Sequence, residues 1–406
     1  MEVLFLAPAY PPEMPQFVRG LSEVGARVLG VGDTPPGALS SRLRGHLADY
    51  LHVPSLLDSE DVHRRVVAWL GRRRPARVEG IWEPVTLLAA QLRETLGVAG
   101  MSVDTVEGFR DKPTMRARVQ AAGLAVPRSA RVRTAVEARA AAESLGYPLV
   151  LKPVAGAGSA DTWRVGDARA LEEVLRATRH VPESSLETFV TGEELTYETL
   201  CVDGVPVYES VCRYEPSALT ARKNEWISPL IQSYRSVDDP AVRAGVALGR
   251  AVIRALGMGT GFTHMEWFRR PDGTAIFGEI ACRPPGANMV DLMNYSDDGD
   301  LYREWARTVV HGRFAGVRAR PWSACIVFKR AQGHGRIARI EGLEGFRARH
   351  RPWIAREDFL PVGASRRDWR QTFLSDGNIV VRHPDMETAL ALGRAAAREI
   401  RLVAAP

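Results

Sequence analysis

The sequence predicts a mixed fold, α/β at the N-terminus and α+β thereafter, and three observations predict it. Residues 1–105 alternate short apolar runs with helix-period patterns, as in a doubly wound parallel sheet covered on both faces. Further along, strand-like runs come in pairs joined by Asp-Gly turns at Asp203-Gly204 and Asp272-Gly273, the mark of antiparallel hairpins. With 406 residues the chain is also too long for one ordinary core, so several domains are expected.

Taken in order, Val3–Ala7 reads as a strand, Pro15–Glu23 as a helix, Ala26–Val31 as a strand and Asp61–Leu70 as a helix. Val78–Trp82 is then a strand and Leu87–Leu96 a helix. The first strand-to-helix turn, Ala7-Pro-Ala-Tyr-Pro-Pro12, lacks the G-x-G-x-x-G fingerprint, so no dinucleotide site is expected there. From about Val106 the pattern changes. Helices are expected over Lys112–Ala122 and Thr134–Leu145, each stopped by a glycine. Leu149–Lys152 is a strand running into a glycine-rich loop, Pro153-Val-Ala-Gly-Ala-Gly-Ser159. A strand Trp163–Val165, a helix Ala168–Ala177 and a strand Ser185–Phe189 complete a small α+β unit. Extended segments Leu195–Val202 and Val205–Cys212 form a hairpin, and a helix opens at Asp238-Asp-Pro240 and stops at Gly257. The last part has strands at Ala324–Phe328 and Asn378–Arg382 and a helix from Asp385 to Arg398.

Composition narrows the function classes. Apolar residues make up 45% and charged residues 25%, as in a soluble globular protein. The net charge of +6 is modest for this length, and the runs Arg72-Arg73-Arg74 and Arg366-Arg367 are short, so no nucleic acid partner is expected. No stretch approaches the eighteen apolar residues of a membrane span, and Met1–Ala7 lacks the basic lead of a signal peptide. The four cysteines have neither C-x-x-C pairing nor zinc-ligand spacing, which predicts free thiols and a cytoplasmic protein.

Four lysines stand against fifty arginines. In such a background a lysine is a candidate for a place where a compact ammonium is needed and a guanidinium fork will not serve. Lys112 and Lys152 are forty residues apart, and Lys152 precedes the glycine loop. Lys223 sits in the polar-aromatic stretch Ala221-Arg-Lys-Asn-Glu-Trp-Ile-Ser228, read either as a substrate loop, with Arg222, Lys223 or Trp226 in contact, or as a plain surface loop. Lys329 follows an apolar strand and is given no function.

The most constraining segment is Phe262–Ala281. If Asp272 and Gly273 form a two-residue turn, Pro271 pairs with Thr274 and Glu266 lies opposite Glu279. Like charges so placed repel, and a divalent cation between them would remove the repulsion. The other reading is two exposed glutamates on an edge hairpin, or a register shifted by a longer loop. His264 shares the face of Glu266 and is open to three roles: metal ligand, substrate contact or strand support. Arg283, four residues beyond Glu279, is placed to hold a phosphate or acyl-phosphate oxygen.

Lys112, Lys152, the glycine loop, Glu187-Thr-Phe-Val190, Glu194, Glu266, Glu279 and Arg283, in that order and spacing, resemble the ATP-grasp superfamily over roughly residues 1–310. Within it, Thr263-His-Met-Glu266 and Glu279-Ile-Ala-Cys-Arg-Pro-Pro-Gly286 look most like the L-amino-acid ligases and related carboxylate–amine ligases. The resemblance implies an N-terminal domain (1–105), a small ATP-grasp lobe or lid (106–190), a large lobe with the metal site (191–320) and a C-terminal α+β extension (321–406). It implies ATP clamped between the lobes, with Lys112 and Lys152 on phosphates and Lys152 also near the adenine. Gly156, Gly158 and Ser159 would lie in the loop closing over the phosphates, and Glu187 would accept from the adenine amino group. The backbones of Phe189 and Val190 would pair with the adenine edge, and Glu194 would bind the ribose. Glu266 and Glu279 would hold Mg²⁺, with Mn²⁺ as an alternative ion. One departure is Ala281, where many of these enzymes carry an asparagine ligand; Asn288 or water would complete the shell. The implied activity is an ADP-forming ligase joining a small-molecule carboxylate and an amine through an acyl phosphate, with Arg283 and Lys152 spreading charge and His264 as base or substrate-orienting group. Rival readings are an ATP-grasp carboxylase or nucleotide-pathway ligase, and a non-catalytic nucleotide-binding protein. Ligases of this kind are often homodimers, but no stretch of the sequence marks an interface.

Overall fold

The computed structural model describes residues 1–154, 161–316, 319–369 and 375–406. Its N-terminal sheet is parallel, in the order Leu47–His52, Arg27–Gly32, Glu2–Leu6, Arg77–Glu79. The central strand alternates between two cores, as the period-2 geometry of a strand requires. Leu4 and Leu6 pack with Val62, Val66, Leu88 and Leu92 from the helices Ser59–Leu70 and Thr86–Leu96. Val3 and Phe5 pack on the opposite face with Phe17, Leu21 and Trp305. That second face is covered by helix Met14–Glu23 and by Leu301–His311, which comes from much later in the chain. The two helices meet at Gly20, where an added Cβ would stand 2.5 Å from the Tyr302 carbonyl oxygen, so only glycine permits the approach. Sequence reading missed the strand Leu47–His52, an edge strand of partly exposed residues with little apolar alternation.

A second, antiparallel sheet runs Ser129–Val132, Ser184–Thr188, Leu149–Pro153, Trp163–Val165. Helices Ala135–Leu145 and Ala168–Ala177 share a core with it through Ala138, Ala142, Leu171 and Val174. Thr134 and Asp167 cap these helices by accepting from the backbone N–H three residues on.

The largest sheet has eight antiparallel strands, in the order Ala275–Ala281, Gly261–Arg269, Glu193–Val202, Val205–Glu215, Leu230–Ser233, Ser323–Phe328, Gly377–His383, Ile354–Phe359. Strands from beyond residue 320 thus continue the sheet that holds the carboxylate hairpin. Val202 pairs with Val205 across a two-residue turn, with Asp203 and Gly204 both at positive φ, as the Asp-Gly signal predicts. The helix expected from Asp238 begins at Arg243, after a turn over the acidic residues. Its Gly245 and Gly249 accept the rings of Trp267 and Tyr197, where a Cβ would stand only 2.1 and 2.3 Å away. A three-stranded sheet of Gln332–Gly333, Arg401–Ala405 and Arg336–Glu341 and the helix Met386–Glu399 complete the described chain. All four cysteines are free and buried.

Candidate active site

Glu266 lies opposite Glu279, as the spacing predicts, but the chain reaches that register by another route. The turn has three residues, Pro271, Asp272 and Gly273, closed by the Arg270 N–H donating to the Thr274 carbonyl at 2.9 Å, with Gly273 at a φ of 82°. The extra residue offsets the pairing, so that Arg269 faces Ala275. A bulge at Gly278 then takes up one residue and restores the register at the two glutamates. Only glycine fits there, since a Cβ would stand 2.7 Å from the Glu266 carbonyl oxygen. The bulged carbonyl is not idle: Arg116 donates to it at 2.8 Å.

Arg116 is the main site residue that sequence reading passed over. It lies one helical turn from Lys112 on the helix Lys112–Ala121, and this i, i+4 spacing was the available signal. Its guanidinium holds Glu187 with bonds of 2.6 and 2.7 Å, and Ser185 donates to the same carboxylate at 2.9 Å. Lys152 stands 3.3 Å from Glu187 and 3.2 Å from Glu279, and Lys112 is 3.6 Å from Glu279. The helix is set by Asp111, which caps it by accepting from the Thr114 N–H and is itself held by Arg131.

These contacts divide the two glutamates electrically. Burial, then the charges of Glu279 and Glu194, pushes the Glu266 carboxyl up to about 7. Burial also opposes the charge on Glu279, but Lys112 and Lys152 hold it well below the usual carboxylate range. Burial likewise raises Glu194 to about 7, although the Ala218 N–H donates to it. Among the described residues no group of three or more His, Cys, Asp or Glu side chains could hold a metal by itself. Two opposed carboxylates with a third nearby and unrelieved repulsion nevertheless fit Mg²⁺, which commonly takes one or two carboxylates and completes its shell with phosphate and water.

Two adjoining cavities share Lys112, Glu266 and Glu279. The smaller, about 390 Å³, is also lined by Lys152, Glu187, Phe189, Val190 and Glu194, so these predicted residues do converge. The guanidinium of Arg164 lies over the Phe189 ring, 4.5 Å from its centroid. The larger, about 800 Å³, contains His264 and Arg283 with Tyr10, Glu13, Trp82, Glu83 and Arg110, none of which sequence reading had selected. Arg283 donates to Glu83 at 2.7 Å, and Arg110 is 3.3 Å from the same carboxylate. His264 Nδ1 is 3.0 Å from the fully buried Glu198, which shares its face with Glu194 four residues back along the strand, and His264 Nε2 is 3.9 Å from Glu266.

Several expectations need correction. Of the stretch Ala221–Ser228, read as a loop, the first three residues close a short helix, Ala218–Lys223, capped by Ser217, and Asn224–Ser228 form no helix or strand. Ala218 and Ala221 of that helix face the larger cavity, while Leu219, Thr220 and Lys223 face the smaller one. Lys223 therefore borders the same cavity as Lys152. Arg222 lines neither cavity, and Trp226 is 52% exposed beneath Arg366, away from both. Asn288 heads the helix Met289–Asp297 in a left-handed conformation and lines neither cavity, so it does not stand in for the missing asparagine. The carboxylate of Glu187 is already engaged by Arg116, Ser185 and Lys152, which disfavours the expected bond to an adenine amino group. Gly156, Gly158 and Ser159 lie outside the described residues. Lys329, given no function, is buried and donates to the Ala397 carbonyl at 2.6 Å, closing the end of the helix Met386–Glu399.

No family model matches the chain. It is 25% identical over 255 residues to an L-arginine-specific L-amino acid ligase of Bacillus subtilis, a stretch covering 61% of each protein. The crystal structure of an L-amino acid ligase from Bacillus licheniformis superposes with a TM-score of 0.80 at 23% identity, over 100% of this chain and 99% of that one. The biotin carboxylase domain of Hydrogenobacter thermophilus 2-oxoglutarate carboxylase, solved with MgADP, ADP and bicarbonate, gives 0.66 at 16% identity over 99% and 90%. The chain therefore shares the fold of the L-amino acid ligase structure, and it carries the lysine pair, Glu187-Thr-Phe-Val190 and the opposed glutamates in the order expected of the ATP-grasp superfamily.

Proposed function

We propose that the chain is an ADP-forming carboxylate–amine ligase that makes an amide or peptide bond, with an amino acid or small carboxylic acid as a substrate. The carrying observation is the pair of adjoining cavities that meet at Lys112, Glu266 and Glu279. In this reading the smaller cavity takes ATP and the larger takes the carboxylate and then the amine. The substrate carboxylate attacks the γ-phosphate, giving an acyl phosphate and ADP, and the amine displaces phosphate from the acyl carbon.

Glu266 and Glu279 would hold Mg²⁺, which when bound neutralises phosphate charge. Lys112 and Lys152 bring two ammonium groups to the same place, and Arg283, oriented by Glu83, adds positive charge from the side of the larger cavity. With Glu187 engaged by Arg116, the adenine edge is left to the backbone around Phe189 and Val190, and Glu194 is available for the ribose. His264, oriented by the buried Glu198, faces the larger cavity as a substrate-positioning group.

The test is ADP release with amino acids and small carboxylic acids, offered singly and in pairs. Substrate-dependent release is expected, and its absence across all of them would count against the ligase. Glu279→Ala should lower release about 100-fold or more, and it should also abolish the rise in melting temperature that MgADP gives the unaltered protein. Unchanged ADP release would sink the assignment of Glu279. A carboxylase, the second reading, draws support from the likeness to the biotin carboxylase domain and would instead show bicarbonate-dependent release. A homodimer is the assembly to examine by sedimentation.

A further inference from the structure

We propose that the larger cavity recognises a substrate by a non-reacting cationic group, an ammonium or guanidinium, with Glu13 as its counter-charge. This rests on the ligase reading and narrows its substrate class. Glu13 lies beyond the carboxyl end of the central parallel strand Glu2–Leu6, the side on which open α/β sheets bind ligands.

The other glutamates lining the cavity are accounted for. Glu83 is held by Arg283 and Arg110, Glu279 by Lys112 and Lys152, and Glu266 belongs with Glu279 to the candidate metal pair. Among the described residues Glu13 makes no ion pair or hydrogen bond with another side chain; the donor it has is its own backbone N–H. The cation nearest in effect, Arg283, is taken by Glu83, while Asp291 adds like charge from the other side and is itself satisfied by Arg356 at 2.6 Å and Tyr302 at 2.7 Å. A partly buried carboxylate so placed calls for a cation the protein does not supply. Tyr10 and Trp82, packed edge to face at 5.3 Å, border the same cavity and offer ring faces that favour a cation further. Burial, reinforced by Asp291, raises the Glu13 carboxyl, as expected of a charge awaiting its partner.

The cation could be the α-ammonium of any amino acid or the side chain of a basic one, and the experiment separates these. ADP release by the full chain with MgATP is measured for alanine, leucine, lysine and arginine and for their N-acetyl derivatives, with unaltered protein, Glu13→Gln and Glu13→Asp. The isosteric Glu13→Gln should raise KM about tenfold or more with kcat changed less than about threefold, and Glu13→Asp should recover part of the loss. A rise for all four amino acids, together with rejection of N-acetyl alanine, assigns the α-ammonium. A rise confined to lysine and arginine assigns the side chain. KM values that do not move in Glu13→Gln, or equal use of N-acetyl alanine and alanine together with no effect on the basic pair, overturn the proposal while leaving the ligase reading intact. Absence of ADP release from the unaltered protein with every compound would instead remove the ligase reading.

Discussion

The Arg116–Glu187 pair is nearly sealed from water, with side chains 4% and 5% exposed, so its charges depend on each other. Arg116→Ala should cost about 3 kcal/mol in urea unfolding, because it takes the bidentate partner from a buried carboxylate and leaves it only Ser185 and Lys152. Replacing both residues by methionine should cost clearly less, and equal losses would show that the ion pair is not the source. Lys329 offers a pH test. Burial pushes its ammonium down to about 8, against an ordinary value near 10.4. Below pH 8 the folded and unfolded chains both hold the proton, so the stability difference from Lys329→Met should be flat. Between pH 8 and about 10.4 the unfolded chain holds more proton than the folded one, so the unaltered protein should gain stability over the variant. A flat difference across that window would mean the ammonium is not desolvated. The scarcity of lysine was thus informative in an unequal way. Lys112 and Lys152 meet at Glu279, and Lys223 borders the same cavity, but Lys329 is rare for a structural reason that rarity alone could not separate.

The hairpin around Glu266 and Glu279 is the element on which the site turns. Gly278→Ala would place a Cβ against the Glu266 carbonyl and disfavour the bulge. ADP release should fall at least tenfold, as expected when a catalytic group is misplaced by about an ångström, and the melting temperature should fall with it. Activity retained at full level would show that the two carboxylates need no fixed register. The pairing of the glutamates was legible in the sequence because alternation fixes faces and Asp-Gly fixes a turn. The three-residue loop and the compensating bulge were not, because each shifts the count by one and the two cancel. Long, strongly patterned strands such as Glu2–Leu6 and Ser323–Phe328 were equally legible. The edge strand Leu47–His52 and the helix Ala218–Lys223 were not, since neither carries a clear apolar period, and with that helix went the placement of Arg222, Lys223 and Trp226. Glu13, Glu83 and Arg110 were invisible for another reason: the larger cavity is assembled from segments far apart in sequence.

At the scale of the whole molecule, the eight-stranded sheet ties the last quarter of the chain to the candidate site. Ser323–Phe328 pairs with Leu230–Ser233, and Arg367 and Asp368 line the larger cavity. A chain stopped after residue 320 would leave the buried strand Leu230–Ser233 as an open edge, and such edges drive association. That chain should be recovered as aggregate, and a soluble, cooperatively unfolding monomer would show that the sheet is complete without its C-terminal strands. The six-residue helix Ala218–Lys223 has a different reach, because it is a partition with one cavity on each side. Lineages that diverge in substrate taste cannot freely enlarge or shrink residues on this partition, since a change made for one guest is felt by the other. Variation in preference should therefore accumulate on the far wall, at positions such as Tyr10 and Trp82, leaving the partition as the slow-changing part of a pocket whose remaining surface drifts.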